Sequence, residues 1–149
     1  MLDDEMRMMA RSQTRMTWED GQAGRSLDEE SARLYQIMQE HSQYADLWGR
    51  LDEVGDDEFL RDGVNPEVHV QMHLIIENQI AANDPAEVEM VVNVLVGKQF
   101  SRHDAVHMAA RVMLEEINDM VRKRRPYDAA RYKRKLWQAS RLSHPGQAK

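Results

Sequence analysis

The sequence contains no cysteine among its 149 residues, and this absence excludes several kinds of chemistry. Without thiols the protein can have no disulfide framework, no thiolate metal site and no cysteine nucleophile. A bound metal ion would therefore depend on nitrogen and oxygen ligands. A glycine-rich phosphate loop, a nucleophile elbow and a recognisable Ser-His-Asp arrangement are also missing.

Long apolar runs are missing as well. No segment approaches the roughly 20 apolar residues that a helix needs to cross a bilayer, so we predict that this is not a membrane protein. The first residues, MLDDEMRMMARSQTRM, mix acids, bases and methionines and lack the apolar core of a secretory signal. We therefore expect a cytoplasmic location.

The composition is ordinary for a globular protein, with 42% hydrophobic and 31% charged residues. A chain of this length can build one domain with a proper core and is too short for two comfortable ones. We predict a mobile or docking N-terminal arm over residues 1–25. A helical domain is predicted over 26–140, followed by a frayed tail over 141–149.

Hydrophobic residues recur at helical spacing through most of the chain, which predicts an all-α bundle of about five helices. Ser26 with Glu29 forms a capping-box pattern at the start of the first helix. Asn65 with Pro66 marks the start of another. An apolar set over 44–51 continues the first helix or begins a short one. The predicted helices span about 27–41, 66–82, 85–97, 102–123 and 127–140.

Four of the six histidines occur in two pairs with a spacing of four residues. The first pair is His69 and His73, and the second is His103 and His107. Side chains at this spacing lie on one helix face, one turn apart, so both imidazoles of a pair can reach one ion. A helical projection places the first pair on the apolar face of its helix. The polar wedge opposite consists of Glu67, Gln71 and Asn78.

The second pair projects to the core or close to it, and a short helix separates the two histidine helices. Small bundles bring such alternate helices side by side. Because an unpartnered buried polar group costs about 1–3 kcal/mol, four inward imidazoles need an explanation. We predict that His69, His73, His103 and His107 hold a transition metal ion, Zn or Fe. Glu77 is a possible oxygen ligand, or an acceptor that orients an imidazole.

Several alternatives stay open. Each histidine could instead bond a nearby carbonyl or carboxylate, and His41 is either a fifth ligand or an ordinary helix-face histidine. The His103-Asp104 dipeptide resembles the pair used by metal-dependent phosphohydrolases, although Asp104 serves better as a capping residue after Ser101. An ion with an open position would make the protein a metal-dependent hydrolase or oxidoreductase. An ion with a closed set of ligands would be structural.

The net charge of −6 hides an asymmetry. Residues 122–149 hold ten Lys or Arg against one acid, which gives +9 and leaves −15 for residues 1–121. Residues 122–141 could contact nucleic acid or an acidic protein partner, and this metal-free interaction module is the competing hypothesis for function. We favour a tail helix that docks its aromatics and turns its bases toward the acidic body. A homo-oligomer or another protein partner is compatible with the sequence.

The segments NPEVHVQMHLIIENQIA, SRHDAVHMAARVMLEEI and RPYDAARYKRKL resemble a family of small bacterial proteins classed as a domain of unknown function. The resemblance covers about residues 64–136 and rests mainly on the two histidine segments. It implies a bacterial, cytoplasmic, helical protein. It brings no established reaction, substrate or catalytic residue, so the metal assignment depends on the residues themselves.

Overall fold

A computed structural model describes residues 2–61 and 63–142, and the regular structure of this part of the chain is helical. The prediction of an all-α fold is therefore confirmed. The helices are α1 Leu2–Gln22, α2 Glu29–Glu40, α3 Ala45–Trp48, α4 Asp56–Phe59, α5 Pro66–Ala82, α6 Ala86–Gly97, α7 Arg102–Lys123 and α8 Ala129–Ala139, with a 3-10 turn Ser42–Tyr44 before α3.

The helices outnumber the five predicted. Two of them, α3 and α4, are single turns. The short helix offered as an alternative for the apolar set over 44–51 is α3, whereas α4 is too short to show a helical period in sequence. The long helix α1 lies within residues 1–25, which we predicted as a mobile or docking arm, and it packs against α2 and α3. Most of the tail predicted to fray, 141–149, lies outside the described residues.

Side-chain caps fix two helix starts where the sequence predicts them. The Asn65 carboxamide oxygen accepts a hydrogen bond from the backbone N–H of Val68 at 3.1 Å, at the start of α5. The Ser101 hydroxyl does the same for Asp104 at 3.0 Å, at the start of α7. The predicted Ser26 cap is wrong. Helix α2 begins later, because the carboxylate of Asp28 accepts the hydrogen bond of the Ser31 N–H at 2.7 Å.

The chain divides into two compact units, and the division falls within α5, between Leu74 and Ile75. The first unit holds α1 to α4 and the first half of α5. Its core contains buried apolar side chains from α2, α3, α4 and α5. Helix α1 adds Trp18, which is partly buried. The buried members are Leu34, Ile37, Met38, Tyr44, Leu47, Trp48, Leu51, Val54, Phe59, Val70 and Leu74.

The second unit holds the rest of α5 with α6, α7 and α8, and the last three helices pack against one another. Helix α6 buries the stripe predicted from its spacing, Val88, Val91, Val92 and Leu95. Helix α8 buries Tyr132 and Leu136.

None of the helices in the described ranges is both long enough and apolar enough to cross a bilayer. The cytoplasmic location stays a prediction.

Candidate metal site

Three histidines of the first unit, His41, His69 and His73, lie against one another. One nitrogen from each can be chosen so that all three lie within 4.8 Å of one another. The ring centroids form a nearly equilateral triangle, with separations of 4.8, 4.8 and 4.9 Å. In the described part of the chain, these are the potential metal ligands that lie close enough together to share one ion. We call them the histidine cluster.

Helix geometry explains two of the three positions. His69 and His73 are one turn apart on α5, so their rings leave the helix on the same side. His41 comes from the end of α2, where the backbone leaves the helical region with φ −106° and ψ 58°. Its N–H still donates to the carbonyl of Met38 at 3.1 Å. The cluster therefore depends on where α2 stops as well as on the spacing within α5.

A backbone carbonyl fixes the orientation and the tautomer of His41. Its Nδ1 lies 2.7 Å from the carbonyl oxygen of Ile37, one turn earlier in α2. Because a carbonyl can only accept, Nδ1 must carry a hydrogen and donate it. In the neutral ring Nε2 then has a lone pair, and this atom lies 3.1 Å from Nε2 of His69. Two bare lone pairs would repel at that distance, so either a hydrogen or a cation must lie between them.

The separation of these two nitrogens is close to that of two ligands on one ion. With metal–nitrogen bonds of roughly 2.0–2.1 Å, two ligands of a tetrahedral site lie about 3.3 Å apart. His41 and His69 need almost no movement to reach this value. A nitrogen of His73 completes a set in which all three ligand atoms lie within 4.8 Å of one another.

The cluster lies largely in the interior of the first unit. The His41 and His73 side chains are buried, with 1% and 3% of their surface exposed, whereas His69 is partly exposed. The ring of Tyr44 lies beside the cluster, 6.3 Å from the centroid of His41 and 6.2 Å from that of His69. Most of the cluster is therefore shielded from water.

The other predicted site residues lie in the second unit. Glu77 receives two hydrogen bonds from Arg102, at 2.6 and 2.8 Å, so its carboxylate already has a cationic partner. His103 and His107 lie on α7 and are partly buried. Their participation with His69 and His73 in one site stays a prediction. His41, weighed above as a possible fifth ligand, belongs to the cluster instead, and its place on the apolar stripe of α2 was the sequence feature that pointed to it.

The basic tail contributes mainly to the second unit itself. Tyr132 is fully buried, and its hydroxyl donates to the side-chain oxygen of Gln79 at 2.8 Å. The bases that form ion pairs with acids of this unit are Arg122, Lys123, Arg125, Arg131, Lys133 and Lys135. A contact of residues 122–141 with nucleic acid or with an acidic partner stays a prediction. The ion pairs within the unit already neutralise part of the positive charge that such a contact would use.

Comparison with known proteins adds a family and no activity. No curated protein and no solved structure matches the chain. One family model, described as "Domain of unknown function (DUF1841)", matches residues 6–138. The match includes α2 and His41, which the resemblance noted from the sequence did not cover. Because the matched residues make up most of the chain, the protein belongs to the DUF1841 family.

Proposed function

We propose that this protein binds one transition metal ion through His41, His69 and His73. The observation that supports the proposal most is the 3.1 Å distance between the Nε2 atoms of His41 and His69. The hydrogen bond from Nδ1 of His41 to the Ile37 carbonyl orients the ring so that its Nε2 lone pair faces the cluster. A carbonyl that fixes the tautomer of a metal-binding histidine is a recurrent feature of metal sites. Burial then strengthens the site, because few water molecules compete for the ion.

The ligand type favours zinc among the metals considered. Imidazole nitrogen suits Zn, Cu, Ni and Fe, whereas Mg, Ca and Mn prefer oxygen. Non-haem Fe(II) sites commonly combine two histidines with a carboxylate, and the histidine cluster contains no carboxylate among the described residues. Three histidines around one ion match the ligand set of catalytic zinc sites. Iron remains the second candidate.

The number of protein ligands decides what the ion can do. Three imidazoles leave a tetrahedral ion with one position for water, and zinc lowers the pKa of bound water to about 7. The partial exposure of His69 gives a route by which a substrate could reach that position. This arrangement supports metal-assisted hydrolysis. If instead His69, His73, His103 and His107 held the ion, as predicted from the sequence, the four histidines would close a tetrahedral site and the ion would be structural.

Metal analysis of untagged protein tests the proposal. After incubation with zinc and removal of free metal, we expect about one ion per chain. The double variant His41→Ala/His73→Ala should lose it. The matched control is His103→Ala/His107→Ala, which also removes two histidines, both from the second unit, and should keep the ion. A content far below one ion per chain in the unmodified protein, unchanged by added zinc or iron, would overturn the proposal.

The same control separates the two ligand sets. If the His103→Ala/His107→Ala variant also loses the ion, the larger site predicted from the sequence is correct. The cobalt(II) form adds a direct measure of the open position, since its visible spectrum depends on coordination number. A change on adding azide would indicate an exchangeable position, and no change would indicate a closed site.

A further inference from the structure

The first unit also contains a pocket on the side of α5 that faces away from the histidine cluster. Positions 67, 71 and 74 share one face of α5, roughly opposite to that of His69 and His73 at 100° per residue. The pocket lies between α1, α2 and α5 and has a volume of about 570 Å³. This size falls within the roughly 300–1,000 Å³ of small-molecule sites. No histidine lines it, so it is separate from the proposed metal site.

A buried polar network forms one wall of this pocket. Thr14 is only 2% exposed, and its hydroxyl oxygen accepts a hydrogen bond from the side-chain amide of Gln71 at 3.2 Å. The hydroxyl has two acceptors within reach, the carbonyl of Ala10 at 3.1 Å and the carboxylate of Glu67 at 3.2 Å. A hydroxyl donates one hydrogen, so it can serve only one of them at a time. The hydrogen bond to Glu67 is therefore long, and it competes with the hydrogen bond to the Ala10 carbonyl.

The carboxylate of Glu67 is poorly compensated for its burial. Glu67 is partly buried, and the described hydrogen bond to its carboxylate is the 3.2 Å bond from the Thr14 hydroxyl. The Arg11 guanidinium lies over the ring of Phe59, 3.9 Å from its centroid. Glu30 adds a second carboxyl group to the lining, and neither lysine nor arginine is among the lining residues. The pocket thus offers acceptors and negative charge to any occupant.

The remaining lining residues give the pocket an apolar side. Leu34 from α2 and Leu74 from α5 are buried core residues that also reach the pocket, and Ala10 joins them from α1. An occupant would therefore meet hydrocarbon on one side and carboxylate and amide oxygens on the other. A molecule that combines a cationic donor with a short hydrocarbon chain complements both.

We propose that this pocket binds a small aliphatic amine. Its ammonium group donates hydrogen bonds to Glu67, and its hydrocarbon chain lies against Leu34 and Leu74. The ammonium group supplies the donor that Thr14 cannot supply alone, and it neutralises a carboxylate that is expensive to bury.

Titration of the full chain with pentylamine tests the proposal, and pentan-1-ol, which has the same chain length without a charge, is the control ligand. Calorimetry gives the affinity, and ¹⁵N–¹H spectra locate the site. We expect saturable binding of pentylamine with shifts centred on residues near Thr14 and Glu67. Pentan-1-ol should bind roughly tenfold more weakly or worse, because it lacks the charge-assisted hydrogen bond.

Two variants sharpen the result. Glu67→Gln should weaken pentylamine binding by roughly tenfold or more, which corresponds to the loss of one charge-assisted hydrogen bond. Glu29→Gln is the matched control, since Glu29 is a neighbouring acid of α2 that does not line the pocket. Equal effects of the two substitutions, equal affinity for the amine and the alcohol, or shifts away from the pocket would each overturn the proposal. Mapping on the unmodified protein keeps the test decisive if Glu67→Gln folds poorly.

Discussion

The fully buried carboxylate of Glu116 accepts hydrogen bonds from both terminal nitrogens of the Arg125 guanidinium, at 2.9 and 3.3 Å. Nζ of Lys135, on α8, lies 3.8 Å from the same carboxylate. The Arg125 contact holds the pKa of Glu116 below its ordinary value. One side chain of α7 thus binds both the loop that follows this helix and the helix α8 beyond it.

Removal of this buried charge should destabilise the second unit strongly. Glu116→Gln leaves Arg125 largely buried without its main partner, and a broken buried ion pair typically costs about 3–5 kcal/mol. The neighbouring Glu115 is exposed, so Glu115→Gln should change the free energy of unfolding by less than about 0.5 kcal/mol. Urea denaturation measures both variants. Similar values for the two would show that the pair contributes little.

The buried hydroxyl of Tyr132 supports a second stability prediction. Tyr132→Phe removes the donor to Gln79 and leaves a side-chain oxygen of Gln79 unsatisfied, at a cost of about 1–3 kcal/mol. Tyr127 is 43% exposed, so Tyr127→Phe should be nearly neutral. Thermal unfolding of the two variants checks this, and a neutral effect of Tyr132→Phe would indicate that water replaces the hydroxyl.

A glycine inside α1 should resist the substitution that usually stabilises helices. Replacing a helical glycine by alanine commonly gains up to about 1 kcal/mol. At Gly21, however, the added Cβ would overlap two carbons of the Tyr35 ring. We expect Gly21→Ala to destabilise. Gly97→Ala, where no atom lies within 4 Å of the new Cβ, should be neutral or stabilising.

The clash at Gly21 can be relieved by a second substitution. Tyr35→Ala removes the ring, so adding Gly21→Ala to a Tyr35→Ala background should no longer destabilise. Helix content and melting temperature of the single and double variants measure the coupling. If Gly21→Ala destabilises equally in both backgrounds, contact with the ring is not the cause.

The raised pKa of Glu67 predicts a pH dependence of stability. At pH values just above 4.5, the ordinary pKa of a glutamate, Glu67 has lost its proton in the unfolded chain, whereas the folded protein still keeps it. The unfolded state then binds fewer protons, so the contribution of Glu67 to the free energy of unfolding falls as the pH rises through this window. Glu67→Gln removes the titrating group. The free energy of unfolding of the unmodified protein relative to this variant should therefore decrease from pH 4.5 upward, and a constant difference would contradict the prediction.

The helices predicted from sequence were those that carry their own local signals. Helix α5 begins where Asn65 and Pro66 indicate, and α6 buries the stripe that its spacing predicts. Helix α1 has no such pattern, because it packs partly through polar side chains. Thr14 contacts Glu67 and Gln71 of α5, and Arg11 lies over Phe59. Contacts between residues so far apart in the chain leave no local period to recognise.

Two of the three histidines in the cluster could be predicted, again because only their signal is local. The inward direction of His69 and His73 follows from their spacing on α5. His41 is a single histidine at a helix end, and its approach to His69 joins residues 28 positions apart. Glu116 shows the opposite error. A carboxylate on a helix is expected to face water, yet this one is buried because Arg125 supplies the partner nine residues later.

Helix α5 contributes residues 66–74 to the first unit and 75–82 to the second. A cut between the units would divide one continuous helix, and the backbone hydrogen bonds from the N–H groups of residues 75–78 to the carbonyls of residues 71–74 would be lost. Neither unit is therefore an exchangeable building block. Recombination that joined one of them to a foreign sequence would have to rebuild half of this helix, so the two units should be inherited together.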